Sequence, residues 1–292
     1  MDMDNSRVDN AAYADASVVK SRPYALGYTQ TEFERLEKQS GYYRDLTRDV
    51  FQRAGLTHGM RVLDLGCGVG DVSMLAAELV GPDGSVVGVD QSPESLNTAR
   101  QRALRAGLAG RVTFTLSDLS DVTDFGRFDA IIGRFILMYL PNPALTIRHL
   151  AERCLRPGGI LAFHEMSMHT ARSVPDLPLF LRSIEWIIEA FERGGFATDM
   201  GTDLYRVFLD AGLPEPLMIG ATRIEAGDDT FAYDYIAATI GSLLPLMQRT
   251  GVASAADVMI DDLGDRLRTE ALAHRACIML PTLIGAWTRV PE

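Results

Sequence analysis

Between Arg61 and Met166 short apolar runs alternate with amphipathic ones, and no other feature restricts the fold of this chain more. "RVLDLG", "SVVGVD", "VTFTLSD", "FDAIIGRF" and "ILAFHEM" are rich in Val, Ile, Leu and Phe and too short for helices. The stretches between them carry helical spacing and helical punctuation. "DVSMLAAELV" has Asp71 as a candidate N-cap and stops at Gly81-Pro82; the next stretch starts with Ser92 as cap and Pro93 in the first turn, and stops at Gly107. "NPALTIRHLAERCLRPGG" is the third such stretch. Strands separated by helices require crossover connections, so this region predicts a parallel, doubly wound α/β sheet.

The flanks are read from weaker signals. Residues 1–22 have no periodicity and are expected to form a disordered arm. Residues 23–55 read as an N-terminal helical lid over the core at 56–170, with Phe33, Leu36, Tyr43, Leu46, Val50 and Phe51 at helical spacing and a break expected near Ser40-Gly41. Residues 171–292 read as a helical cap. Ser173 to Leu213 is expected to be helical throughout, and Thr230 to Met279 a largely helical insertion. "PLMIGATRIEAG" and "PTLIGAWTRV" supply two late strands.

Composition removes several function classes. The formal net charge is −11 with no basic run, which disfavours a nucleic-acid partner. The three cysteines, Cys67, Cys154 and Cys277, stand far apart with no CxxC pair, so neither a disulfide framework nor a metal site is expected. No apolar run is long enough for a membrane span, and the acidic N-terminus is unlike a signal peptide, so a cytoplasmic protein is expected.

The first strand runs into "VLDLGCGVGD", with Gly66, Gly68 and Gly70 in the turn. A dinucleotide loop spaces its glycines as G-x-G-x-x-G and places a pyrophosphate on the following helix N-terminus. Here the third glycine comes one position early and Asp71 follows it, where a carboxylate would repel a pyrophosphate. With Asp64 as a second carboxylate, the loop suits a cationic or zwitterionic ligand better. Asp90 ends the second strand where a ribose would lie, and Asp118 follows the third strand in "LSDL", placed for an adenine amino group.

In this order the motifs resemble the class I S-adenosylmethionine-dependent methyltransferases, over roughly Leu56 to Met166. "VLDLGCGVG" is similar to that family's glycine motif, "VGVD" to its ribose acid, "LSDL" to its adenine contact and "LRPGGILAFHE" to its last core segment. The resemblance implies a Rossmann-like seven-stranded sheet, mostly parallel with an antiparallel last strand. It implies S-adenosylmethionine as cofactor, held by Asp64, Gly66, Cys67, Gly68, Gly70, Asp90, Gln91, Asp118, Leu119 and Arg134.

Methyl transfer from a sulfonium needs alignment and exclusion of water, and a base only where the acceptor must lose a proton. Candidate acceptor contacts therefore lie at the tips of the fourth and fifth strands. Met138 and Tyr139 follow the fourth, and Tyr28 and His169 are the other substrate-side candidates. The fifth ends in "FHEM", where His164 and Glu165 point in opposite directions. Resemblance to the quinone C-methyltransferases favours Glu165 as the catalytic residue, with His164 second. The expected activity is methylation of a small, largely apolar acceptor at carbon or oxygen. An NAD-dependent oxidoreductase and a non-catalytic protein that keeps the cofactor fold are the alternatives, and the apolar cap leaves a homodimer surface open.

Overall fold

The computed structural model describes residues 24–119 and 125–292; the arm expected over 1–22 lies outside the described residues. The first helix, α1 (Gln30–Ala54), is capped by Thr29, whose hydroxyl accepts from the Glu32 amide, and closed by Gly55 in the left-handed region. It is continuous through Ser40-Gly41, where a break was expected. Gly41 is exposed, while Phe33, Tyr43, Val50 and Phe51 are buried on one side, so packing along the whole length outweighs a glycine's cost of about 1 kcal/mol.

The core then follows the predicted alternation: β1 (Arg61–Leu65), α2 (Asp71–Val80), β2 (Ser85–Asp90), α3 (Pro93–Arg105), β3 (Val112–Leu116), β4 (Phe128–Arg134), α4 (Pro143–Cys154) and β5 (Leu155–Ser167), although "LRPGG", read with the helix, belongs to β5 because Pro157 ends the helical run before it. Ser92 caps α3 as predicted, accepting from the Ser95 amide. Asp71 does not cap α2. The cap position is Gly70 at φ 88°, and Asp71 is the first helical residue, because the tight turn needs a left-handed residue just before the helix.

The second half contains β6 (Arg172–Val174), α5 (Pro178–Arg193), α6 (Met200–Asp210), β7 (Leu217–Ala221), β8 (Ile224–Ala226), α7 (Ala232–Thr250), α8 (Ala255–Val258), α9 (Leu263–Ala273), β9 (Cys277–Met279) and β10 (Thr282–Arg289). Ser173 to Leu213 is therefore a short strand and two helices, not one helical run. The main sheet has seven strands in the order β3-β2-β1-β4-β5-β10-β7, with β10 antiparallel to both neighbours. This is the doubly wound sheet with an antiparallel final strand that the motifs imply. A second sheet, β6-β9-β8, is antiparallel and gathers three-residue strands from widely separated segments.

Side chains alternate across the main sheet. Val62, Ala130, Ile132, Ile160 and Ala162 pack with α2, α3 and the end of α1, whereas Leu63, Ile131, Leu161 and Phe163 pack with the α4–α7 side. Strand order reverses between β1 and β4, and ligands of such sheets bind in the crevice beyond the strand ends at that reversal.

Candidate active site

The crevice is a cavity whose floor is the turn after β1 and whose roof comes from α1, α5 and α7. Gly66, Gly68 and Gly70 have φ of 60°, 50° and 88°, a conformation that side chains resist. A Cβ on Gly66 would come within 2.3 Å of Ile136 Cδ1, and one on Gly70 within 3.1 Å of Phe114. Gly68 meets nothing within 4 Å, so its backbone faces open space. The turn is a cradle that would close if residue 68 carried a side chain.

Asp90 lines the cavity at the tip of β2. Its Oδ2 accepts from the Gly68 amide at 2.9 Å and its Oδ1 from the Ser92 amide at 2.9 Å, so it ties the glycine turn to the start of α3. Burial pushes its carboxyl upward, against the pull of these amides. Gln91, beside it, donates to the Tyr28 hydroxyl at 3.4 Å. Cys67, Leu119, Arg134, Tyr28, Met138 and Tyr139 also line the cavity. Asp118 does not; its neighbours Ser117 and Leu119 do.

Two expectations about charge are corrected. Asp64 is 1% exposed and off the cavity wall, with Oδ2 taken by the Ser73 hydroxyl at 2.5 Å; burial raises its carboxyl to about 7. Asp71 lines the cavity but is paired with Arg102 at 2.6 Å. Two carboxylates facing a cation therefore do not describe this turn. Arg134 also lines the cavity; its NH1 donates to the Thr47 hydroxyl at 3.0 Å, and like Asp90 it forms no ion pair among the described residues. Burial lowers its pKa.

His164 and Glu165 point to opposite faces, as strand alternation requires, and neither lines the cavity. His164 lies beneath α1, with Nδ1 at 3.2 Å from the Thr47 hydroxyl, and burial lowers its pKa to about 3. Glu165 is fully buried. Its Oε1 accepts from the amides of Ile136 and Leu137 at 2.9 and 2.8 Å, while Oε2 has no partner, and burial raises its carboxyl to about 7. These two amides belong to the turn after β4, where Phe135 holds φ 55° and Ile136 seats against Gly66 and Gly133. His169 is half exposed near Glu192 and Asp199 and lies away from the cavity.

The sequence places Tyr24, Tyr28, Gln39 and Arg44 on the lid helix, but it does not show that Tyr24 and Gln39 join Glu32 and Arg35 in a buried polar network on the opposite wall. Arg35 grips both oxygens of Glu32 at 2.7 Å and donates to Gln39 Oε1 at 2.7 Å. Glu32 also accepts from Tyr24 at 2.9 Å and from Ser242 of α7 at 2.8 Å, and Gln39 Oε1 accepts from Tyr235 of α7 at 3.0 Å. Tyr24, Phe33, Tyr139, Phe191 and Tyr235 surround it with aromatic surface. Polar residues on an otherwise amphipathic helix carry no signal of burial until α7 is placed against them.

Residues 56–191 match the family model described as a methyltransferase domain. The ubiquinone/menaquinone biosynthesis C-methyltransferase of Pseudomonas putida is 34% identical over 131 residues, 44% of this chain and 51% of that protein. The chain spans about half the length of the curated relatives it matches. Among solved structures, a cyclopropane-fatty-acyl-phospholipid synthase-like protein from Lactobacillus casei superposes with TM-score 0.57 at 20% identity, covering 92% of this chain and 95% of that one. A putative methyltransferase from Bacillus halodurans gives TM-score 0.54 at 19% identity, covering 84% of this chain and 99% of that one. These two share the fold.

Proposed function

Residues 56–191 form a class I S-adenosylmethionine-dependent methyltransferase domain, and from that premise we propose that the chain transfers a methyl group to a small, largely apolar acceptor at carbon or oxygen. One observation carries this reading. A single cavity is lined on one side by Gly66, Gly68, Asp90 and Leu119 and on the other by Tyr24, Tyr139, Phe191 and Tyr235. A nucleoside and an apolar partner can thus meet inside one space.

The residues present fit the cofactor. The open backbone at Gly68 accepts its amino-acid portion, the Asp90 carboxylate its ribose hydroxyls, and Ser117 and Leu119 flank the adenine position. When bound, S-adenosylmethionine supplies an already activated methyl group on sulfur. The chain's own part is to orient, to exclude water and to fix the wall opposite the donor. Glu165 serves here as the anchor of the turn at Ile136 and Leu137. It is a positioning residue, not the base the quinone enzymes suggest. The named activity of the Pseudomonas relative favours carbon as the methylated atom.

The test is titration calorimetry with S-adenosylhomocysteine and with NAD, followed by transfer of labelled methyl to candidate acceptors. Binding of the first nucleoside and not the second is expected. NAD binding without S-adenosylhomocysteine binding would restore the oxidoreductase alternative, and cofactor binding without transfer to any acceptor would leave a non-catalytic protein.

A further inference from the structure

Gln39 is 6% exposed and lines the cavity from α1. Its amide orientation is fixed by chemistry. Arg35 NH1 can only donate, so the atom 2.7 Å from it must be the carbonyl oxygen Oε1. The Tyr235 hydroxyl occupies the second lone pair of the same oxygen at 3.0 Å. The carbonyl is then saturated, and Nε2 is left with no partner among the described residues. That nitrogen is not among the fully buried polar atoms that lack a partner, so its N–H groups open onto the cavity that Gln39 lines, where an oxygen that is not part of the protein can accept from them.

The group is also held still. Arg35 is locked by both oxygens of Glu32, and Glu32 by Tyr24 and Ser242, so the rotamer of Gln39 is set from α1 and α7 together. Two donors on Oε1 polarise the amide and strengthen its remaining N–H bonds. Around it the wall is aromatic, with Tyr24, Phe33, Tyr139 and Tyr235 lining the same cavity.

We infer that Gln39 is the receptor for a carbonyl or enolate oxygen of the methyl acceptor, which is therefore a planar, mostly apolar molecule bearing such an oxygen. This rests on reading the cavity as a methyl-transfer site. It disfavours a protonated amine as acceptor at this position, which has no lone pair for Nε2.

The experiment uses the full chain saturated with S-adenosylhomocysteine, and two probes that differ only in the oxygen, 1-tetralone and tetralin. The wild type is expected to bind the ketone roughly tenfold or more tightly than the hydrocarbon. Gln39→Glu keeps an oxygen to accept from Arg35 and Tyr235 and loses only the donor, so it is expected to erase that preference while leaving tetralin binding and S-adenosylhomocysteine affinity within about twofold. Gln39→Leu, which also takes the acceptor from Arg35 and Tyr235, is expected to lose the preference as well. The inference is overturned if the wild type shows no preference for the ketone, whether the probes bind alike or not at all. It is also overturned if Gln39→Glu weakens S-adenosylhomocysteine more than about twofold, since the Gln39 amide would then hold the cofactor. Failure of S-adenosylhomocysteine to bind the wild type would instead overturn the methyltransferase reading beneath it.

Discussion

Asp90 and Glu165 are carboxylates that each accept two backbone amides, but Asp90 is half-buried on the cavity wall whereas Glu165 is fully buried behind it. Asp90 uses one oxygen for each amide and still faces the ligand. Asp90→Ala is expected to weaken S-adenosylhomocysteine by about 1.5–3 kcal/mol, roughly ten- to a hundredfold. Asp90→Asn should fall in between, because its amide nitrogen cannot accept from one of the two N–H groups; calorimetry on the three proteins checks the order. Glu165 instead uses a single oxygen for both amides. A glutamine can reproduce that oxygen, so Glu165→Gln is expected to keep most of kcat, whereas Glu165→Ala frees the turn at Ile136 and lowers kcat by about 10², the cost of a displaced wall. Equal and severe losses in both variants would make Glu165 the base after all. The sequence shows that His164 and Glu165 diverge, but not which faces the ligand. That depends on the turn after β4 folding back over Glu165, and "RFIL" carries no local signal for it.

Helix α1 and the cap helices close the cavity that the sheet opens. Tyr24, Arg35 and Gln39 reach α7 through a handful of polar contacts, Glu32 to Ser242 and Gln39 to Tyr235 among them, whereas the C-terminal part of α1 buries Val50 and Phe51 against the sheet. The N-terminal part should open more readily. Hydrogen exchange over residues 24–44 is expected to slow when S-adenosylhomocysteine is bound, with residues 45–54 unchanged, and equal protection in both states would leave α1 a fixed wall. The core elements were legible because each strand and helix declares its own period and its own stop, as Ser92 and Gly107 do for α3. The cap was not. The strands at 172–174, 224–226 and 277–279 are too short to show alternation, and their pairing exists only after α7 and α9 have brought them together. Gly41 gave a false stop for the opposite reason, since tertiary packing decides the continuity of α1.

Across the whole molecule, three fully buried groups carry the large shifts that make stability depend on pH, and Asp90, raised by burial, acts in the same sense as the two carboxylates among them. Asp64 and Glu165 have folded-state values raised to about 7, so between roughly 4 and 7 the folded protein holds protons that the unfolded chain has released. Each therefore contributes a loss of stability as pH rises through that window. His164 works in the other sense: its value falls to about 3, the unfolded chain binds the extra proton below roughly 6.5, and stability rises with pH between those limits. Two carboxylates oppose one imidazole, so the net slope from about pH 5 to 7 is downward. Asp45, Glu78 and Asp257, whose carboxyls are lowered by their partners, change protonation only below this range. The urea midpoint of the wild type is expected to be higher at pH 6 than at pH 8. In the double variant Asp64→Asn, Glu165→Gln the fall should shrink to what Asp90 contributes, set against the rise between about pH 5 and 6.5 that His164 produces. A wild-type midpoint that climbs steadily from pH 5 to 8 would mean that Asp64 and Glu165 are ionised in the folded state at neutral pH. Glu165 would then hold the turn at Ile136 as a carboxylate, and its unpartnered oxygen would carry charge beside the cavity wall.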